Sequence, residues 1–218
     1  MMKKMLVVFM AMIMALSMVA CGGNNNAGKE DTDAVKVIDI NLTEELYAFG
    51  VDKNQPELLT QVNDFIKKIK DNGTFDAICD KYFAEGEPTA VKSAALDTSK
   101  DQLVVATNAA FEPFEYMIGD SYYGIDMEIA ALLAEELGQE LVIMNMDFDA
   151  IVSSVGNNGV DAGIAGMTIN ENRKKVVNFS NPYETSAYQV IVCKVECTLF
   201  DNCKTSEELI AVLNGLTK

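Results

Sequence analysis

LVVATNAAFEPFEY (residues 103–116), GIDMEIAALLAEELG (124–138), DFDAIVSSV (147–155) and AGMTINENRKKVVNFSNPY (165–183) follow one another along the second half of the chain, and their order decides the fold. Leu103 to Ala106 is a short apolar run of strand length. In Ile125 to Leu137, Ile129, Leu132, Leu133 and Leu137 recur at helical spacing, and Gly138 stands where a helix ends on a left-handed residue. Leu141 to Met144 is the next strand, Phe148 to Val155 a short helix, and Asn157-Asn158-Gly159 a turn. Val160 to Ala165 is then predicted as a strand, Glu171 to Val177 as a short helical turn, Tyr188 to Cys193 as a strand and Ser206 to Leu213 as a helix. Strands alternating with helices predict an α/β domain, a mostly parallel sheet with helices on both faces. In such sheets ligands bind beyond the carboxyl ends of the strands.

Outward from this core, residues 84–101 scatter Gly, Pro, Thr and Ser among small and charged residues and form no apolar face, so they are expected to be a linker or surface connection. Before them, Val35 to Ile40 and Leu46 to Val51 are strand-like. Pro56 opens a helix with Leu58, Val62, Phe65, Ile66 and Ile69 on one face. Asn72-Gly73 stops it, and Phe75, Ile78, Cys79, Tyr82 and Phe83 make a second. Residues 1–20 combine Lys3 and Lys4, an uncharged apolar run and small residues before Cys21, the pattern of a secretory signal peptide. The small polar residues after Cys21 suit a flexible tether over 21–34.

Composition excludes whole classes of function. The 218 residues carry 17 Lys and Arg against 33 Asp and Glu, a formal charge of −16. Such a chain is repelled by phosphate backbones, which argues against nucleic-acid partners. There is no histidine, so Ser-His-Asp and Cys-His catalysis and His-based metal sites are absent from the sequence. Cys193, Cys197 and Cys203 have neither a CxxC unit nor a histidine beside them, so no metal site and no cofactor are expected. A Cys197–Cys203 disulfide is compatible with the spacing, and Cys79 falls on an apolar helix face as a core residue.

The strand ends bring together the candidate site. Arg173 is the only arginine in the chain. Its planar fork makes two parallel bonds to a carboxylate, which an ammonium cannot do; the alternative is a surface charge. Gly166 and Thr168 offer backbone N–H and hydroxyl nearby. Phe111 and Phe148 either sandwich a ligand side chain or belong to the core. Asp147 and Asp149 are expected as helix N-caps rather than a metal pair. Glu112 and Glu115 are either solvated or an acid–base pair.

In order and spacing, the four stretches between Leu103 and Tyr183 resemble the first lobe of the amino-acid-binding proteins of ABC importers, which have the type II periplasmic-binding-protein fold. The resemblance runs from Leu103 to Lys194. It implies that Phe111 stacks on the ligand side chain and Phe148 covers its other face. It further implies that the Gly166 backbone and the Thr168 hydroxyl bind the α-amino and α-carboxyl groups, and that Arg173 clamps the carboxylate. Asn108 stands where the family often has Asp, which removes a negative charge and leans toward a neutral or polar ligand. Met18-Val19-Ala20-Cys21 resembles a lipobox, with Met18 in place of the usual Leu. That implies lipidation of Cys21 and a chain anchored in the bacterial cell membrane on its extracytoplasmic face. Residues 35–83 resemble the family's C-terminal segment placed before the first lobe, an order like that of a circular permutation. The expected division is therefore a signal peptide (1–20), a tether (21–34), a returning segment of lobe 1 (35–83), a linker (84–101), the ligand-binding region of lobe 1 (102–195), and a hinge with the start of a truncated second lobe (196–218). Lobe 2 is expected to be largely absent, leaving the site open and binding by this chain alone weak. The function implied is capture of an amino acid for an ABC permease, without catalysis. The alternatives are a sensor or interaction module and a dehydratase-like enzyme on the same fold.

Overall fold

The computed structural model describes residues 34–84 and 86–216; the expected signal peptide, Cys21 and the tether up to residue 33 lie outside them. Contacts divide the described residues into two units, one of residues 44–187 and one made of residues 34–43 and 188–216.

The strand β1 (Val35–Tyr47) is longer than expected, and β2 (Gly50–Val51) is a separate short strand. Pro56 opens α1 (Pro56–Asp71), and its missing N–H costs nothing in a first turn. Gly73, at φ +79°, separates α1 from α2 (Thr74–Phe83). Then come β3 (Gln102–Thr107), β4 (Ala110–Phe111), β5 (Glu115–Ile118), β6 (Ser121–Tyr123) and α3 (Ile125–Leu137). Gly138 caps α3 in the left-handed conformation, its N–H reaching back to the last turn. The chain continues through β7 (Glu140–Asn145), α4 (Phe148–Ser154), β8 (Ala162–Gly163), a 3-10 turn at Arg173–Lys175, β9 (Asn178–Phe179), β10 (Glu184–Lys194) and α5 (Ser206–Leu216).

The larger unit is built on a five-stranded sheet in the order β7-β3-β8-β2-β9. It is parallel where β3 pairs with β7 and β8, and antiparallel where β2 pairs with β8 and β9. The sheet is therefore more mixed than the strand–helix alternation predicts, because β2 enters from the segment before the linker and runs against its neighbours. Alternation along β3 shows the two covered faces. Leu103 and Val105 point into a cluster with Val62, Phe65, Ile78, Ile129 and Leu133 from α1, α2 and α3. Val104 and Ala106 point into another with Ile151, Val155, Met167 and Val177. Each such side chain, fully buried, contributes about 1.5–3 kcal/mol of transfer free energy. Gly163 is required under α4, since a Cβ there would lie 2.6 Å from Cγ2 of Ile151.

The surroundings of the β3 loop hold one element the sequence did not show and a connection held on the surface. The three-stranded antiparallel sheet β4-β5-β6 is not predicted by the sequence pattern. Much of residues 84–101 is pinned to the larger unit. Val91 bridges Tyr122, the Ala94 N–H donates to the Leu141 carbonyl, and the Ser93 hydroxyl accepts from the Ile143 N–H. In the smaller unit, the Val195 N–H donates to the Ala34 carbonyl and Lys36 pairs with Asp201 at 2.7 Å. Cys193, Cys197 and Cys203 are free thiols, so the Cys197–Cys203 bridge is not formed. Cys79 is buried, and burial pushes its thiol up to about 12.

Candidate ligand-binding site

Three loops at the carboxyl ends of β3, β7 and β8 carry the expected residues. Asn108 follows β3 and its amide donates to the Met146 carbonyl at 2.8 Å. The Ala109 N–H donates to Asn145 Oδ1 at 2.9 Å. These two bonds staple the β3 loop to the end of β7. They commit the Asn108 NH2 group to the protein and leave Oδ1, an acceptor, as the amide's other end. Phe111 is 44% exposed, and its ring stacks on Phe114 with centroids 5.6 Å apart. Phe114 in turn meets Tyr47 edge-on at 5.1 Å. Neither Phe111 nor Phe148 is a core residue, and Phe148 is 37% exposed. Asp147 occupies the N-cap position of α4 without a side-chain bond to the helix, so the capping role expected of it is not filled.

Gly166 sits at φ +47°, and a Cβ there would lie 2.9 Å from Phe111 Cε1 and 3.5 Å from Tyr47 Cε2. The absent side chain lets the Phe111 ring lie on the turn. The Gly166 N–H is not open as expected, because it donates to Asp126 Oδ2 at 2.7 Å. The carbonyl is then the backbone group Gly166 has to offer. The Thr168 hydroxyl is also engaged, donating to the Glu45 carboxylate. Arg173 lies in the 3-10 turn. Its Nη1 donates to the Thr168 carbonyl at 2.7 Å, and its guanidinium carbon lies 5.0 Å from the centre of the Phe148 ring. Among the described residues no acceptor is taken by Nε or Nη2. Partial burial lowers the guanidinium pKa and nearby Glu45 and Asp149 oppose that, but it stays charged at any working pH. The structure thus links Phe111 to Gly166, and Thr168 to Arg173 to Phe148, while Asn108 is tied to the chain two residues before Phe148.

Four residues around this cluster, Glu45, Tyr47, Asp126 and Tyr183, were not singled out from the sequence, and Glu115 was read there only as solvated or half of an acid–base pair. Glu45 and Tyr47 come from the end of β1. Tyr47 bridges Thr168, and burial followed by the charge of Glu45 pushes its hydroxyl up to about 12. Asp126, Glu115 and Tyr183 lie beneath the Gly166 turn. In the GIDMEIA stretch Asp126 is one of two acids in the first turn of α3, beside Glu128, so nothing in the sequence set it apart. Glu115 is 1% exposed whereas Glu112 is exposed, so they are neither both solvated nor an acid–base pair with each other. Burial, then the neighbouring Asp126, raises the Glu115 carboxyl far above the usual range. A separate groove of about 730 Å³ runs between α2, α3 and the pinned connection, past Ile78, Lys81, Val91, Glu128 and Leu132, and holds none of the expected site residues.

The profile of the bacterial extracellular solute-binding proteins, family 3, matches residues 6–85 and 103–216. The arginine-binding extracellular protein ArtP of Bacillus subtilis is 36% identical over 95 residues, covering 44% of this chain and 37% of its own length. A cyclohexadienyl dehydratase of Pseudomonas aeruginosa is 33% identical over 82 residues, 37% of this chain and 31% of the enzyme. Among solved structures, the arginine-bound form of domain 1 from TmArgBP is 35% identical, covers 56% of this chain and 99% of that one, and superposes with a TM-score of 0.39. The chain spans about a third of the length of these two curated relatives.

Proposed function

This chain belongs to the bacterial extracellular solute-binding proteins, family 3, and from that premise we propose that it captures an α-amino acid outside the cytoplasm and passes it to the permease of an ABC importer. In this reading Cys21 carries a lipid anchor and no bond of the ligand is broken. The observation that carries the reading is the half-satisfied guanidinium of Arg173. Its Nη1 is fixed by the Thr168 carbonyl and its planar face by the Phe148 ring, and its remaining N–H groups suit a carboxylate. Phe111 supplies an exposed ring for the ligand side chain, the Gly166 carbonyl an acceptor for its ammonium, and Asn108 Oδ1 an acceptor for a side-chain N–H. An acceptor at Asn108 suits a guanidinium as well as an amide, so the leaning toward a neutral ligand loses its force. Likeness to an arginine-binding protein makes arginine the first ligand to test.

Because Phe111 and Phe148 stand partly exposed, the affinity of this chain is expected to be weak. About 0.3 kcal/mol for each of roughly twelve heavy atoms corresponds to a Kd of about 2 mM. An NMR titration with arginine, glutamine and glutamate checks this. Arginine is expected to bind tightest, and glutamate at least about tenfold more weakly, since this acidic chain disfavours a second carboxylate. No shift with any amino acid at about 20 mM would refute the proposal.

A further inference from the structure

We propose that Asp126 is the positioning residue of this site, tying the Gly166 turn to Tyr183 at the base of β10. The inference rests on the amino-acid reading only for its effect on affinity. Asp126 is fully buried in the first turn of α3. Its Oδ2 accepts the Gly166 N–H and its Oδ1 accepts the Tyr183 hydroxyl, each at 2.7 Å. Its own N–H donates to the Phe114 carbonyl at 2.9 Å, which places the carboxylate beside Glu115. Tyr183 is held independently, by its N–H on the Tyr47 carbonyl and by its ring against Phe49 and Phe75. One carboxylate therefore fixes the turn on which Phe111 rests.

Burial raises the Asp126 carboxyl to about 6, and two donors and a helix N-terminus hold it from going higher, so it is charged at pH 7. Glu115, equally buried, has Oε2 without a partner. The titratable groups that interact with the pair are Tyr47 from β1, itself beside Glu45, then Tyr183, and Glu184 from β10. No Lys or Arg forms an ion pair with either carboxyl among the described residues. Two carboxyls in such surroundings cannot both ionise, so Asp126 keeps the charge and Glu115 keeps a proton. A carboxyl whose proton is held more tightly in the folded state lends stability that is complete at acid pH, below its unfolded pKa, and is lost as pH rises.

The test uses the isotope-labelled chain without ligand. The Gly166 amide proton is expected far downfield and slow to exchange. In Asp126→Asn it should move upfield and exchange at least about tenfold faster, since an amide NH2 cannot accept both donors. If that variant does not fold, Tyr183→Phe removes one donor and keeps the ring, and the Gly166 resonance should still move. The wild-type melting temperature is expected to rise between pH 7 and pH 5, and Glu115→Gln should shrink that rise, leaving the part that belongs to Asp126, whose own carboxyl burial raises into this range. An unmoved Gly166 amide, or a rise undiminished in Glu115→Gln, would overturn the inference. Because these readouts need no ligand, they stand or fall apart from the amino-acid reading. If that reading holds, Asp126→Asn also weakens arginine binding about tenfold.

Discussion

Arg173→Ala is expected to weaken arginine binding by about 10- to 100-fold, the equivalent of losing a charge-assisted contact worth roughly 1.5–3 kcal/mol. From a starting Kd of about 2 mM this moves binding to about 20 mM or weaker, at or beyond the top of the titration. The expected asymmetry with its neighbour makes the test specific. Lys174 is paired with Glu171 on the surface at 2.7 Å, with side chains 49% and 85% exposed. Such a pair is worth little, so Lys174→Ala should change affinity less than about twofold. Arg173→Lys should fall between the two, because an ammonium keeps the charge but cannot span both carboxylate oxygens or stack flat on Phe148. Melting curves of all three variants separate lost binding from lost structure. Equal affinities for Arg173→Ala and Lys174→Ala would reject the clamp.

The largest effect on stability is expected at Gly124. Its φ is +123°, and a Cβ would lie 2.0 Å from the Phe114 carbonyl oxygen and 2.8 Å from the Glu115 nitrogen. Backbone cannot yield there cheaply. The Phe114 carbonyl accepts the Asp126 N–H, Gly124 itself donates to the Tyr82 hydroxyl, and Tyr116 is in register with Tyr123 across β5 and β6. Gly124→Ala combines a forbidden backbone region with a collision against main chain, so a loss above about 3 kcal/mol is expected. Urea unfolding reads it as a lowered midpoint, or as failure to obtain folded protein. A loss below about 1 kcal/mol would show that the junction of β6 and α3 is more pliable than its contacts imply.

Most of the larger unit was legible because its elements carry strong local patterns. The apolar face of α1, its opening at Pro56, the Gly138 cap of α3 and the paired strands β3 and β7 all follow from spacing and composition. The sheet β4-β5-β6 was not legible, since its strands are only two to four residues long, leaving no periodicity to detect. Its place is set by Val91 and by α3 rather than by its own sequence. The same distinction applies to the site. Arg173, Phe111 and Phe148 stand out as chemical types at strand ends. Glu45 and Tyr47 reach the site only because β1 delivers them from far earlier in the chain, and Asp126 reads as one more helix acid until its donors are seen. The Gly166 N–H was misjudged for that reason: the residue that occupies it is forty positions away.

The function rests on the loops after β3, β7 and β8 forming an amino-acid site. Backbone and arginine side-chain resonances of the isotope-labelled chain, followed as arginine is added, read this directly. Saturable shifts are expected at Phe111, Gly166, Thr168 and the Arg173 guanidinium, with a common Kd. Shifts centred instead on the groove lined by Ile78, Val91 and Leu132 would place the ligand elsewhere and reject the site.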